Sequence, residues 1–168
     1  MNAPISESQI TRSRAVLVSA CLLGLPTRYS GVPKENQRVR DFLRRHQLIP
    51  IPVCPEQLGG LPTPRPKTFF SQGDGEAVLE GTGLLVNEQG EERNQPFILG
   101  AQATLAIARE CNCELAILKE RSPSCGSRQI YLGSQLISGR GVACALLVKK
   151  GLQIVNEEEI EQLKISEK

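Results

Sequence analysis

Apolar residues fall along this chain in short runs, and three of the runs share an ending. Ala15-Val16-Leu17-Val18-Ser19-Ala20 leads into Cys21 and Leu48-Ile49-Pro50-Ile51-Pro52-Val53 into Cys54. Leu115-Ala116-Ile117-Leu118 leads into the turn Lys119-Glu120-Arg121-Ser122-Pro123-Ser124-Cys125-Gly126. Runs this short and rich in branched residues predict buried strands. The alternate prolines of the second weaken its pattern, because Pro removes ladder donors. A fourth strand is expected over Gln153–Asn156 and a shorter one over Ile130–Leu132. Between these runs the period lengthens. Val39, Phe42 and Leu43 recur at helical spacing within Lys34–His46. Pro96–Cys111 carries Ile98, Leu99, Ala101, Leu105, Ala106 and Ala108, with Pro96 suited to a first helical position. Val142–Lys149 reads as a buried helix stopped by Gly151, and Glu157–Leu163 as a short closing helix.

Two stretches resist this reading. Pro55–Pro66 has the composition of an ordered loop, with prolines restricting the chain and glycines permitting sharp turns. Within residues 67–95, Ala77-Val78-Leu79 and Leu84-Leu85-Val86 are expected to form a small hairpin around Gly81-Thr82-Gly83, in a region that reads equally as a lid. Residues 1–14 have no apolar core and read as a loose N-terminal arm rather than a signal peptide. The rest, 15–168, is expected to be a single α/β domain. Strands alternating with helices argue for a three-layer sandwich around a mainly parallel, Rossmann-like sheet. In such a sheet the carboxyl ends of the strands share one edge, where ligands bind. Cys21, Cys54 and Cys125 would meet there, however far apart they lie in sequence.

Composition narrows the partners. With 40% hydrophobic residues, only 4% aromatic and no Trp, the core must be built from Leu, Ile, Val and Ala. A net charge of +2 is too small for broad binding to a phosphate backbone, so any nucleic acid would need a local patch such as Arg38, Arg40, Arg44 and Arg45. No apolar run approaches the ~18 residues that span a bilayer. The expectation is a cytoplasmic protein without membrane contact, in which six cysteines point to metal binding, catalysis or packing rather than disulfides.

Three converging thiols are one short of the usual four around an iron–sulfur cluster or a structural zinc, and leave one metal position open for Lewis-acid chemistry. The same three cysteines also suit small buried hydrophobes at strand ends. Cys111, Cys113 and Cys144 read as packing residues. The lone His46 sits at the polar end of a helix, which leaves Ser-His or Cys-His catalysis without a base. Gly81-x-Gly83 and Gly139-x-Gly141 complete no phosphate-binding fingerprint. Glu56, two residues past Cys54, is the best-placed carboxylate for acid–base work. Ser122 and Ser124 can donate to a ligand or a cluster sulfur, and Arg28, Arg65 and Arg121 flank the cysteine loops as candidates for an anionic substrate.

Several segments carry a resemblance: Ser19-Ala20-Cys21-Leu22-Leu23-Gly24, Arg28-Tyr29-x-Gly31, Val53-Cys54-Pro55-Glu56-Gln57-Leu58-Gly59-Gly60-Leu61-Pro62-Thr63-Pro64-Arg65, Gly100-Ala101 and Leu118–Gly126. From about Val16 to Asn156 the chain resembles the thiouracil desulfidases, small bacterial proteins long filed as a domain of unknown function. The resemblance implies a 4Fe–4S cluster on Cys21, Cys54 and Cys125, with one iron free of protein ligands. It implies non-redox replacement of sulfur by oxygen in 2-thiouracil or a related thiopyrimidine, releasing hydrogensulfide. Glu56 and Ser122 are the expected catalytic residues, and Arg28, Tyr29, Arg65 and Ser124 the expected substrate contacts. A free base or nucleoside is the expected partner, thiolated RNA a further one, and the protein a monomer or weak dimer. The chain departs from the family pattern at Ser30, at Lys67-Thr68-Phe69-Phe70 and at Gly83-Leu84, segments expected in loops facing substrate. Two other classes stay open: a cluster-free sulfur-transfer or persulfide protein using Cys125, and a non-catalytic module with a closed metal site completed by Cys111 or Cys113.

Overall fold

The computed structural model describes residues 14–163. Of the expected N-terminal arm, residues 1–13 lie outside the described part, and Arg14 already belongs to the first strand. The elements in order are β1 (Arg14–Ser19), α1 (Gln37–Arg45), β2 (Leu48–Val53), α2 (Pro55–Leu58), β3 (Thr68–Gln72), α3 (Gly75–Leu79), β4 (Leu84–Asn87) and α4 (Asn94–Glu110). They continue with β5 (Leu115–Leu118), β6 (Gln129–Leu132), β7 (Gln135–Ser138), α5 (Val142–Lys149) and β8 (Gln153–Asn156). Short 3-10 turns cover Ala20–Leu23 and Ile160–Gln162.

The first sheet is all parallel in the order β2-β1-β5-β8. Its alternation sorts the core. Val16, Val18, Ile117 and Val155 face α1 and the last 3-10 turn, meeting Val39, Phe42, Leu43 and Ile160. Leu17, Ala116 and Leu118 face the opposite way, onto Leu105 and Ala108 of α4 and Cys144 and Leu147 of α5. Each Val, Leu, Ile or Phe side chain so enclosed contributes roughly 1.5–3 kcal/mol. This is the expected helix–sheet–helix sandwich. Pro50 and Pro52 are tolerated because β2 is an edge strand, where a missing N–H costs no ladder bond on the open side.

A second four-stranded sheet, β4-β3-β6-β7, was not anticipated. It packs Phe70, Leu85 and Ile130 against Phe97 and Ala101 of α4 and Val142 and Ala143 of α5. Helices α4 and α5 thus serve both cores, with their first turns on the second sheet and their last turns on the first. The expected hairpin around Gly81 is corrected here. Ala77-Val78-Leu79 belongs to α3, whose cap Asp74 accepts the N–H of Ala77 at 3.0 Å. The partner of β4 is β3, antiparallel. Pro55–Leu58 is a helical turn rather than loop, and α4 begins at Asn94, two residues before Pro96. Lys67–Phe70, expected as loop, runs into β3, and Leu84 lies in β4.

Candidate active site

The carboxyl ends of β2, β1, β5 and β8 lie side by side: Ser19 pairs with Val53, and Leu118 with Asn156. Each end hands a chemical group to one cavity or to its wall. Cys54 follows β2 as the cap of α2, and Cys21 sits in the 3-10 turn after β1, which Gly24 closes at φ +87°. Lys119–Gly126 follows β5. Glu157 follows β8 and is turned back onto that loop, pairing with Lys119 Nζ and accepting the N–H of Glu120 at 2.8 Å.

The Cys125 loop is held from three sides. Ser122 Oγ accepts the N–H groups of Cys125 (3.0 Å) and Ser124 (3.2 Å). The carbonyls of Pro123 and Ser124 accept the N–H groups of Val142 and Cys144, so the loop is strapped across the start of α5. A Cβ on Gly141 would stand 2.4 Å from the carbonyl carbon of Ser124, so only glycine permits this approach. A similar device sets α2. Gly59 and Gly100 face each other so closely that a Cβ on either would lie 1.9 Å from a carbonyl oxygen of the opposing helix. That contact seats α2, which carries Glu56 and is capped by Cys54, on α4 and explains the Gly100-Ala101 motif.

The cavity so formed is about 320 Å³, and it is lined by Cys21, Cys54, Cys125, Glu56, Ser122, Ser124, Arg28, Tyr29, Arg65 and Arg121, the residues expected as ligands, catalytic groups and substrate contacts. His46 stacks near Phe42 at 4.5 Å instead, and Cys113 borders a different crevice. Cys144 is buried in the core, its thiol pushed up to about 12 by burial. Lys67, Thr68 and Phe69, expected to face substrate, line the cavity from the second sheet, whereas sequence reasoning gave no role to Ser19, Lys119 and Tyr131, which line it too. Their signal was present only in part: Ser19 and Lys119 adjoin strand ends, while Lys67 and Tyr131 meet through the fold, the ammonium 5.0 Å from the ring centre.

Arg65 is buried, and its guanidinium is fully engaged. Nε donates to Glu56 Oε2 at 2.6 Å, Nη1 to the Pro62 carbonyl and Thr63 Oγ1, and Nη2 to the Thr27 carbonyl and, at 3.9 Å, to Cys54 Sγ. Arg121 is held bidentately by Glu158. Arg28 lies over Tyr29 at 5.7 Å. Of the α1 arginines in the expected patch, Arg40, Arg44 and Arg45 pair with Glu35, Asp41 and Glu161 across the surface.

Burial pushes Cys21 up to about 11 against the opposing pull of Lys119, and pushes Cys125 well above the ordinary range. Cys21, Cys54 and Cys125 all line the one cavity. Among the described residues, no three Cys, His, Asp or Glu side chains are close enough to close on a single metal ion. Three thiols lining one cavity are the kind of donors that hold an iron–sulfur cluster. The buried Ser124 Oγ has no hydrogen-bond partner in the protein. A buried polar atom left unpaired costs about 1–3 kcal/mol, so this hydroxyl is a place where a ligand is owed a contact.

A model of the 2-thiouracil desulfurase family matches residues 16–159. The chain belongs to that family. These desulfurases cleave carbon–sulfur bonds, and this chain is an enzyme of that kind. It is 40% identical over 151 residues to the uncharacterized protein YbbK of Bacillus subtilis (strain 168), covering 88% of this chain and 99% of that protein. Among solved structures it is similar to a 4Fe–4S-dependent thiouracil desulfidase, TudS, with a TM-score of 0.76 and 35% identity over 90% of this chain and 95% of that one. Across the family's matched span lie both sheets and the whole cavity. No helix among the described residues is long and apolar enough to cross a membrane.

Proposed function

We propose that the protein hydrolyses the carbon–sulfur bond of a thiolated pyrimidine such as 2-thiouracil, with Cys21, Cys54 and Cys125 holding a 4Fe–4S cluster. Bound there with one iron free of protein ligands, the cluster supplies a Lewis-acid position for the thiocarbonyl sulfur. Water contributes the oxygen, sulfur leaves as hydrogensulfide, and no electrons are transferred overall. The observation that carries this reading is the convergence of three thiols from three adjacent strand ends on one cavity, beside the orphaned Ser124 hydroxyl.

The chain's own groups divide the remaining work. Glu56 has one oxygen fixed by Arg65, which leaves the other to take a proton from the attacking water and pass it on. Arg65, with its donors spent, aims Glu56 and steadies Cys54 rather than binding substrate itself. Ser122 uses its lone pairs on the loop backbone, so its own proton is free to donate to the base and orient it. Ser124 is placed to donate to the cluster or substrate. Arg28 and Tyr29 complete the wall. A cavity of this size sits at the small end of ligand pockets, which favours a free base or nucleoside over a folded RNA.

The cluster-free alternative asks Cys125 to act as a thiolate, a role that needs a lowered thiol pKa. Burial drives it the other way. A closed structural metal would need Cys111 or Cys113 as a fourth ligand, and neither lines the cavity.

The test is iron and acid-labile sulfide on protein reconstituted without oxygen, for the wild type and for Cys21→Ser, Cys54→Ser and Cys125→Ser. We expect near-stoichiometric cluster in the wild type, its loss in each variant, and thiouracil turnover that follows the iron. Iron content indifferent to these cysteines would overturn the assignment.

A further inference from the structure

The side chain of Arg65 is only 4% exposed, and its five N–H groups meet five acceptors. Four are oxygens and the fifth is the Cys54 sulfur. A planar guanidinium holds such a set in a fixed fork, so its two ends cannot move independently. Nε donates to Glu56 Oε2 at 2.6 Å, while Nη2 reaches both the Thr27 carbonyl, at 3.0 Å, and Cys54 Sγ, at 3.9 Å. The Cys54 thiol itself donates to that same carbonyl at 3.5 Å. A sulfur bound to metal has given up this proton and would face the Thr27 oxygen with nothing to share. Nη2 is the one group placed to donate to both.

We infer that Arg65 is a positioning residue that ties the ligand Cys54 to the base Glu56, drawing negative charge from the sulfur with one end of its fork while aiming the carboxylate with the other. The inference rests on the cluster reading of the site and deepens it. Hydrogen bonds to the sulfurs and net charge are among the factors that set an iron–sulfur cluster's potential. A buried cation that donates to a ligand sulfur favours the reduced form over the oxidised one. Glu56 neutralises part of that cation, so the charge felt at Cys54 depends on the carboxylate as well. Loss of the fork and loss of the carboxylate therefore move the potential in opposite directions. Lysine is no substitute at position 65. It offers three donors where five acceptors wait, and its chain ends one bond short of Nη2, the group that meets the sulfur.

The experiment reconstitutes the wild type, Arg65→Lys and Glu56→Gln without oxygen, reading iron and acid-labile sulfide first and then the midpoint potential by anaerobic titration. In Arg65→Lys we expect wild-type iron and sulfide and a potential shifted to more negative values. Its kcat should fall roughly tenfold, the scale of one hydrogen bond to a charged group, with KM little changed. Glu56→Gln keeps the shape of the base and unmasks the charge of Arg65, so its potential should shift to more positive values. An Arg65→Lys protein with full cluster and an unshifted potential overturns the inference. So does one whose activity falls only in step with lost iron, the mark of a structural buttress. If Arg65→Lys does not fold, the Glu56→Gln potential decides: a positive shift supports the coupling and an unshifted value overturns it. A wild type that binds no iron instead overturns the cluster reading, and is distinguished by being measured before either variant.

Discussion

The carboxylate of Glu120 is buried in the loop that carries Cys125, and both its oxygens are in use. Oε2 accepts from the N–H and hydroxyl of Ser127, and Oε1 from the N–H groups of Arg128 and Gln129. Burial alone would push the carboxyl up; these hydrogen bonds outweigh it and hold the group below the ordinary carboxylate range. A depressed folded value means that the stability contributed by Glu120 is complete above the unfolded value, near 4.3, and is lost as pH falls through the lower folded value. Glu120→Gln turns one accepting oxygen into a donor facing backbone N–H groups. We expect it to cost about 2 kcal/mol at neutral pH. In denaturation curves between pH 7 and 3 the gap from the wild type should narrow on acidification; a constant gap would mean that the charge is not what holds the loop. Glu120 stands inside the turn that the sequence singled out, but its role could not be read there. Hydrophobic patterning exposed Cys21, Cys54 and Cys125 because strands that end in cysteine are a local signal. Glu120 and Ser19 act on backbone groups of other segments, which no spacing encodes.

At the scale of elements, the four parallel strands, α1, α4 and α5 were legible because each is long or periodic enough to bury one face. The misses were short. Pro55-Glu56-Gln57-Leu58 is a single turn, stabilised by its seat on α4 rather than by any pattern of its own. Ala77-Val78-Leu79 reads as strand until Asp74 is recognised as a cap three residues ahead of Ala77. β7 was announced by Gly133-Ser134, a two-residue connection whose first residue has φ +58°, but its side chains are largely exposed and show no apolar alternation. The seat of α2 has a direct test. Gly100→Ala places a methyl 1.9 Å from the Pro55 carbonyl oxygen, so one helix must move. We expect a loss of about 3 kcal/mol in chemical denaturation, at the upper end for overpacking. Reconstituted iron should fall as well, since Cys54 precedes Pro55 directly. Unchanged stability and iron would show that the two helices separate without disturbing the site.

The whole molecule assigns different tasks to its two sheets. Every cysteine of the cavity follows a strand of the parallel sheet, whereas Lys67, Thr68, Phe69 and Tyr131 reach the same cavity from the other one. This division was invisible in the sequence because the two segments of the second sheet meet through a single parallel pairing, Phe70 with Leu132, across some sixty residues of chain. Their union depends on Phe70 and Ile130 sharing a core with α4 and α5. If holding the cluster belongs to the first sheet and facing the substrate to the second, the two functions separate by mutation. Tyr131→Ala removes an aromatic face from the wall, and base–aromatic contacts are worth about 1–3 kcal/mol each. It should raise KM for 2-thiouracil about tenfold while leaving iron and sulfide at wild-type levels and kcat within a few-fold. Cys125→Ser should do the reverse, abolishing the cluster while leaving the second sheet's core intact. A Tyr131→Ala protein that lost iron in step with activity would show that the wall and the metal site form one cooperative unit, and that the second sheet is part of the ligand cage rather than its cover.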